Sequence, residues 1–259
     1  MGIGGFVSNW GSEYWRLAVV VWVFAGGGEA EVAGLIPFLE KCFPQCVFKR
    51  KTPARQKPGP KANQPNRGST SGYGRTGDSL IAQINRELAI ALRNEPESCQ
   101  LILVIDDLDC RNYQSQKQKF LAAINLIPNC ATITKFVAFA APELEAWIIA
   151  DWDNSIAKYT DFRRRHEQMR WWLSQQCHVP FDAPESFSTY DPSRDSCEEK
   201  LSDLLILSTT RIDDSNIEQP PFSKKNHTPE LLKMLNPEVI QKKCPIFREF
   251  YNYMRYFSR

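Results

Sequence analysis

Apolar positions along the chain gather into runs with no helical spacing, and each run is followed by a segment that has it. Leu17 to Ala25 is apolar throughout, Leu101 to Ile105 is an unbroken aliphatic run, and Phe136 to Ala140, after Lys135, is a third. Runs of this length, rich in β-branched and aliphatic side chains, predict strands buried on both faces, as in a parallel sheet. Between them Val32, Leu35, Ile36 and Leu39, and then Leu80, Ile81, Ile84, Leu88 and Leu92, recur at the spacing of a core-facing helix stripe. The pattern predicts strand 17–25, helix 29–42, strand 45–49, helix 78–93, strand 100–105, helix 113–126, strand 133–140 and helix 142–150. Strands separated by helices of this length imply right-handed crossovers and an α/β fold with a mainly parallel four-stranded sheet flanked by helices. Asp78 is placed to cap the second helix.

After Asp151 the pattern turns helical and polar. Thr160 to Gln176 is rich in Arg and aromatic residues, and charge with stacking there suits nucleic acid, although core packing of Trp171 and Trp172 is the simpler expectation. Thr228-Pro229 reads as an N-cap with Pro in the first turn, and Asn236-Pro237 and Cys244-Pro245 punctuate further short helices. These are expected to cap the sheet. From Lys49 to Gly77 there are eight Lys or Arg residues and no acid, interleaved with Pro and Gly. That composition predicts a mobile basic loop. It serves either as a solvated linker or as a binder of backbone phosphates through Lys49, Arg50, Lys51, Arg55, Lys57, Lys61, Arg67 and Arg75.

The chemistry lies at the strand ends. Leu101–Ile105 leads into Asp106, Asp107, Leu108 and Asp109; the first run leads through Gly26-Gly27-Gly28 into Glu29 and Glu31; the third leads through Pro142 into Glu143 and Glu145. Helix capping and dipole compensation explain an acid at any one of these positions. Acids at three strand ends repel one another unless a cation or a proton relieves them. If strand geometry continues through Asp107 and Asp109, both side chains point to one side and can share a hard cation. The contiguous glycines, with no Gly-Lys-Ser/Thr after them, match neither a P-loop nor a dinucleotide fingerprint.

Gly27-Gly28-Glu29 after the first strand, Asp107-Leu108-Asp109 after the third and Glu143-x-Glu145-Ala-Trp147 after the fourth resemble, in order and spacing, the Toprim superfamily. The similarity is to its domain-of-unknown-function 4276 group and, more distantly, to the overcoming-lysogenization-defect nucleases. The resemblance implies Mg²⁺- or Mn²⁺-dependent phosphodiester chemistry, with Glu29 as metal ligand or general acid/base and Asp107 and Asp109 as metal ligands. It implies Glu143 or Glu145 at a second metal and a downstream lysine, Lys224 or Lys225. Asp106 leaves the register of the Asp-x-Asp motif open, and Glu31 competes with Glu29. The implied organisation is a disordered extension over 1–16, a Toprim-like catalytic domain over 17–151 containing the 49–77 loop, and a helical C-terminal extension over 152–259. The implied function is a nuclease, possible in phage defence, with nucleic acid and a separate ATPase chain as partners. The alternative is an inactive Toprim-fold module that binds either of them.

Composition narrows the rest. With 259 residues, 42% hydrophobic and 24% charged, the chain can bury a substantial core, and a net charge of +2 does not by itself announce nucleic acid. Eight cysteines without Cys-x-x-Cys pairs, and only three histidines, argue against structural zinc and a disulfide scaffold. His166, His178 and His227 stand in polar contexts, and no Gly-x-Ser-x-Gly elbow is present, so triad chemistry is not expected. Leu17–Ala25 is far short of the roughly 20 residues a bilayer demands, so a cytoplasmic protein without membrane contact is expected.

Overall fold

The first apolar run folds as strand β1 (Val19–Ala25), and helix α1 (Glu29–Cys42) follows it. Strand β2 (Cys46–Arg50), helix α2 (Asp78–Asn94), strand β3 (Leu101–Asp107), helix α3 (Tyr113–Asn125), strand β4 (Thr134–Ala140) and helix α4 (Glu145–Ala150) continue the alternation. The computed structural model describes residues 18–26, 28–52, 76–95, 99–210 and 220–259, with residues 29–31 described by their backbone alone. The expectations for residues 1–16 and for most of the basic loop fall outside these residues.

The four strands form one sheet in the order β2-β1-β3-β4, and every neighbouring pair is parallel. Side chains alternate between two buried faces. Val21, Val23, Leu101, Leu103 and Phe136 enter the core shared with α1, whereas Trp22, Phe24, Ile102, Val104 and Phe139 enter the core shared with α2 and α3. Burial on both faces is why the strands read as continuous apolar runs instead of alternating ones. From β1 the chain passes by α1 to β2 in one direction, then returns by α2 to β3 and by α3 to β4 in the other. The direction reverses between β1 and β3, and the carboxyl ends of those two strands flank the switch point where open α/β sheets bind ligands.

Past α4 the chain forms α5 (His166–Gln175), an antiparallel pair β5 (Tyr190–Asp191) and β6 (Ser196–Cys197), α6 (Leu201–Thr210), α7 (Lys224–Met234), α8 (Pro237–Lys243) and α9 (Pro245–Phe257). The expected C-terminal helical stretch covers the α1 face of the sheet. Phe247 of α9 stacks edge-on against Trp147 at 4.9 Å between ring centres, and Phe250 and Tyr251 lie against Phe43. Glu185 fastens the start of α9 by accepting the N–H groups of Ile246 and Phe247 at 2.8 and 2.9 Å, two donors that a helix cannot satisfy itself. Asn236 caps α8 through Glu238 N–H at 3.0 Å, with Pro237 in the first turn as expected.

Three local expectations are corrected. Helix α7 begins at Lys224, so Thr228 is not an N-cap but a fully buried residue within the helix. The cap of α2 is Gly77, whose φ of 58° suits glycine, and Asp78 occupies the first turn. The helix expected at 142–150 begins only at Glu145, because Asp109 N–H donates to Pro142 O and Ser202 N–H to Glu143, holding this turn to neighbouring segments.

Helix α7 lies along α1 at Gly34, where an added Cβ would stand 2.5 Å from Pro229 Cα and 2.8 Å from Pro229 O. Backbone cannot yield as a flexible side chain does, so Gly34→Ala is expected to destabilise the protein by roughly 1–3 kcal/mol, outweighing alanine's better helix propensity. The midpoint of urea denaturation checks this; a midpoint that stayed put would contradict the close approach of the two helices.

Candidate functional site

At the switch point Gly26 N–H donates to Ile105 O at 2.8 Å, drawing the turn after β1 onto the end of β3. A small cleft opens there, bordered by Gly26, Ile105, Asp106, Asp107, Ala140 and Leu144. Asp106 shares the strand parity of Val104 and projects toward α2, whereas Asp107 shares that of Ile105 and projects toward α1 and α4. Asp106 Oδ2 accepts Gly77 N–H at 2.7 Å. Its Oδ1 is buried and, among the described residues, has no hydrogen-bond partner. Burial pushes the Asp106 carboxyl up to about 7, with the charge of Asp109 adding to the rise and the Gly77 hydrogen bond opposing it. Asp107 Oδ1 accepts Leu144 N–H at 3.0 Å, which seats this carboxylate on the backbone between Glu143 and Glu145.

Strand geometry stops at Asp107. Asp109 and Cys110 take positive φ values of 49° and 59°, so the same-side pairing expected of Asp107 and Asp109 has no continuous strand to impose it. Asp109 turns to Arg111, whose Nη1 donates to Asp109 Oδ2 at 3.0 Å while Nε donates to Asp195 Oδ1 at 3.0 Å. The next residue, Cys110, forms a disulfide with Cys197 of β6. This corrects the expectation of no disulfide in part: one bond exists, between cysteines 87 positions apart, and the other six are unpaired. No local spacing could have announced it.

The Glu-x-Glu element is built into a second network. Glu143 accepts Ser202 N–H at 2.7 Å and Ser202 Oγ–H at 3.1 Å, and Glu145 accepts the Thr228 hydroxyl at 3.2 Å. Lys224 lies across both, its Nζ 3.6 Å from Glu143 and 3.3 Å from Glu145, with a third of its side chain still exposed. Lys225 points into solvent. Of the two candidate lysines, Lys224 is therefore the one joined to the strand-end acids, carried there by α7 from far along the chain. Comparison with family models, with curated proteins and with solved structures finds no match.

Glu29 opens α1 a short turn after Gly26, and Leu35 of the same helix borders the cleft. Among the described residues, no three His, Cys, Asp or Glu side chains form a group that could hold a metal ion. Of the expected phosphate-binding residues, Arg55, Lys57, Lys61, Arg67 and Arg75 lie outside the described residues. Lys49, Arg50 and Lys51 lie on or just after the outer strand β2, and all three have partners: Lys51 stands over the Trp22 ring at 4.3 Å and pairs with Glu95 at 2.7 Å, Lys49 reaches Glu95 at 3.4 Å, and Arg50 Nε donates to Thr52 Oγ1 at 3.4 Å.

Ser202, Thr228, Gly77 and Arg111 escaped sequence reasoning. Ser202, Thr228 and Gly77 support acids from distant positions, and Arg111 joins neighbouring Asp109 to distant Asp195; isolated Ser, Thr, Gly and Arg residues carry no signal of that. His227 differs from its polar sequence context: its ring is buried among Phe162, Phe222 and Tyr159, with Nδ1 accepting Ser223 N–H at 2.8 Å and Nε2 3.3 Å from Asp161. Burial lowers its pKa against the opposing pull of Asp161, and its packing among aromatic rings makes it part of the interior.

Proposed function

We propose that the chain is a Toprim-like nuclease that hydrolyses phosphodiester bonds of nucleic acid at the β1/β3 switch point with Mg²⁺ or Mn²⁺. The observation that carries this reading is the buried Oδ1 of Asp106, which has no hydrogen-bond partner among the described residues, beside Asp107 at the ligand-binding edge of a parallel sheet. A buried carboxylate oxygen is unfavourable unless protonated or met by a cation. The donor set fits a hard divalent ion, since the polar side chains bordering the cleft are carboxylates. Asp106 from the α2 side of the end of β3 and Asp107 from its α1 side, with Glu29 at the head of α1, would hold it, and when bound it would stabilise charge on a phosphoryl oxygen and generate a nucleophile at neutral pH. Lys224, partly exposed and lying across Glu143 and Glu145, supplies a cation for the non-bridging oxygens of the phosphate. Asp109 takes a supporting role in this scheme, orienting Arg111.

Nucleic acid is the substrate that the basic 49–77 segment favours, because such segments neutralise phosphates without reading sequence. A cytoplasmic location is part of the proposal: the six unpaired cysteines suit a reducing compartment, whereas the Cys110–Cys197 disulfide is a bond that persists in an oxidising one. Among the described residues no helix is long and apolar enough to cross a membrane. A role in phage defence beside a separate ATPase is part of the same proposal and rests on the Toprim resemblance alone.

A second reading is favoured by one observation. Asp109, Glu143 and Glu145 all have partners in Arg111, Ser202, Thr228 and Lys224, which suits a module that binds nucleic acid or an ATPase without cutting. Incubation of labelled single-stranded DNA, duplex DNA and transfer RNA with Mg²⁺ or Mn²⁺ decides between them. Cleavage abolished by a chelator supports the nuclease. Intact substrates, with no metal binding by calorimetry, support the module.

A further inference from the structure

We infer that the Cys110–Cys197 disulfide is a reversible redox latch on the turn that ends β3, opened by thiol exchange at Cys110; this rests on the reading of the cleft given above and adds its regulation. The bond runs from the edge of the cleft to a surface hairpin. Cys110 stands three residues past Asp107, and Cys197 lies in β6. Between buried Phe187 and buried Leu201, Cys197 is the one buried residue of the segment 188–200. A hairpin of two residues a strand has no stability of its own. Arg111 also holds it to the turn: Nε and Nη2 donate to the two Asp195 carboxylate oxygens at 3.0 Å each, and Nη2 donates to Asp195 O. Asp195 is mostly exposed, and an ion pair in water contributes little.

The turn at the other end of the bond is built to move when the bond is cut. Asp109 and Cys110 stand in succession in the left-handed region, a conformation that residues with a Cβ keep only where their surroundings impose it. The disulfide is one of the constraints that impose it. Leu108 N–H donates to Ala140 O and Asp109 N–H to Pro142 O, both at 2.8 Å, so the turn lies against the end of β4 beside Asp107. Once the disulfide opens, the exposed Arg111–Asp195 pair is left to hold the hairpin, the left-handed pair relaxes, and the backbone next to the cleft loosens with it.

A thiol can reach the bond. A cavity of about 490 Å³ is bordered by Cys110, Arg111, Asn112, Gln116, Tyr190 and Asp195, and Cys110 is only half-buried where Cys197 is buried. That space admits a small thiol such as glutathione, and the Arg111 guanidinium on its wall favours the thiolate form. The thiolate sulfur attacks Cys110 Sγ, a mixed disulfide forms as the Cys110–Cys197 bond breaks, and the electron pair leaves on the Cys197 sulfur, which takes a proton from water. A second thiolate then attacks the glutathione sulfur of the mixed disulfide, freeing Cys110 to take a proton and releasing glutathione disulfide. Two small thiols are thus oxidised for the one protein disulfide reduced. The other six cysteines are already thiols, so a reductant acts on this bond alone.

The full chain is incubated with reduced glutathione and no denaturant, and its free thiols are alkylated and mapped by mass spectrometry. Cys110 and Cys197 are expected to become alkylated, and in Cys197→Ser glutathione disulfide is expected to add to Cys110. Hydrogen exchange in the reduced protein is expected to quicken about tenfold or more over 108–111 and 188–198 while β1 and the body of β3 stay unchanged, and Cys197→Ser is expected to match it without reductant. Reduced wild type answers the question by itself if that variant does not fold. A bond that resists glutathione, or does not re-form with glutathione disulfide, overturns the latch, and so does a reduced protein whose 108–111 amides exchange as before. Neither readout involves a metal or nucleic acid, so the latch can stand where the nuclease reading fails. If wild type cuts, its oxidised and reduced forms are expected to do so at different rates, and equal rates overturn the latch as a control of the cleft.

Discussion

Asp107→Asn is expected to lower metal-dependent cleavage by more than about a hundredfold, beyond what loss of an outer-shell partner costs a metal site, while leaving the fold intact. Asparagine keeps an oxygen to accept the Leu144 N–H, which Asp107 Oδ1 now accepts at 3.0 Å, and removes only the charge. Asp107→Ala removes both and is expected to lose about 1 kcal/mol of stability as well, because the Leu144 N–H then has no side-chain acceptor. Cleavage of labelled DNA and RNA, measured beside thermal denaturation of each variant, separates the two effects. Activity retained in Asp107→Asn would exclude Asp107 as a charged ligand and leave Asp106 as the β3 carboxylate of the site. Lys224→Met serves as a control on the other network: it strips the cation from Glu143 and Glu145, and its loss of stability should be partly recovered by adding Glu145→Gln.

Asp106→Asn is expected to stabilise the metal-free protein above neutral pH, by an amount on the order of 4 kcal/mol. The sign follows from the folded carboxyl standing near 7 against an ordinary value of 3.8. Between those two values the folded chain holds a proton that the unfolded chain has released, so wild-type stability is greatest at the acidic end, falls as pH rises toward 7 and is level above it. Asparagine cannot ionise, so its contribution stays flat, and the gap between the two proteins opens from nothing near pH 4 to its full size above pH 7. Urea denaturation across this range checks it; parallel curves for the two proteins would show that the Asp106 carboxyl is not raised. Mg²⁺ adds a second readout. If the cation neutralises Asp106, it stabilises wild type at pH 8 and leaves Asp106→Asn unmoved.

Both predictions concern acids that the chain itself displays, and the elements bearing them were legible for a physical reason. Strands buried on both faces must be apolar throughout, so Leu101–Ile105 identifies itself, and the acids directly after it must lie at a sheet edge. Helix α1 matches its expected span because the Val32–Leu39 stripe and its acidic start are local properties. Expectations weakened where an outcome depended on partners far along the chain. Whether Asp109 continued the strand was decided by Arg111 and Asp195, whether α7 began at Thr228 was decided by the packing of Pro229 on Gly34, and whether Trp171 was buried was decided by which side of α5 met the core.

Alternation of apolar runs with helical stripes determined that this is an α/β protein with a parallel sheet, because side-chain period and burial are properties of neighbouring residues. It also determined that carboxylates stand at the carboxyl ends of the strands. Only the tertiary structure decided which of those acids share surroundings. Asp106 was left with a buried oxygen that has no hydrogen-bond partner among the described residues, Asp109 was turned to an arginine, and Glu143 and Glu145 were joined to a lysine far along the chain. Charge and hydrogen bonding act across space, and the distances that set them exist only once the chain has folded.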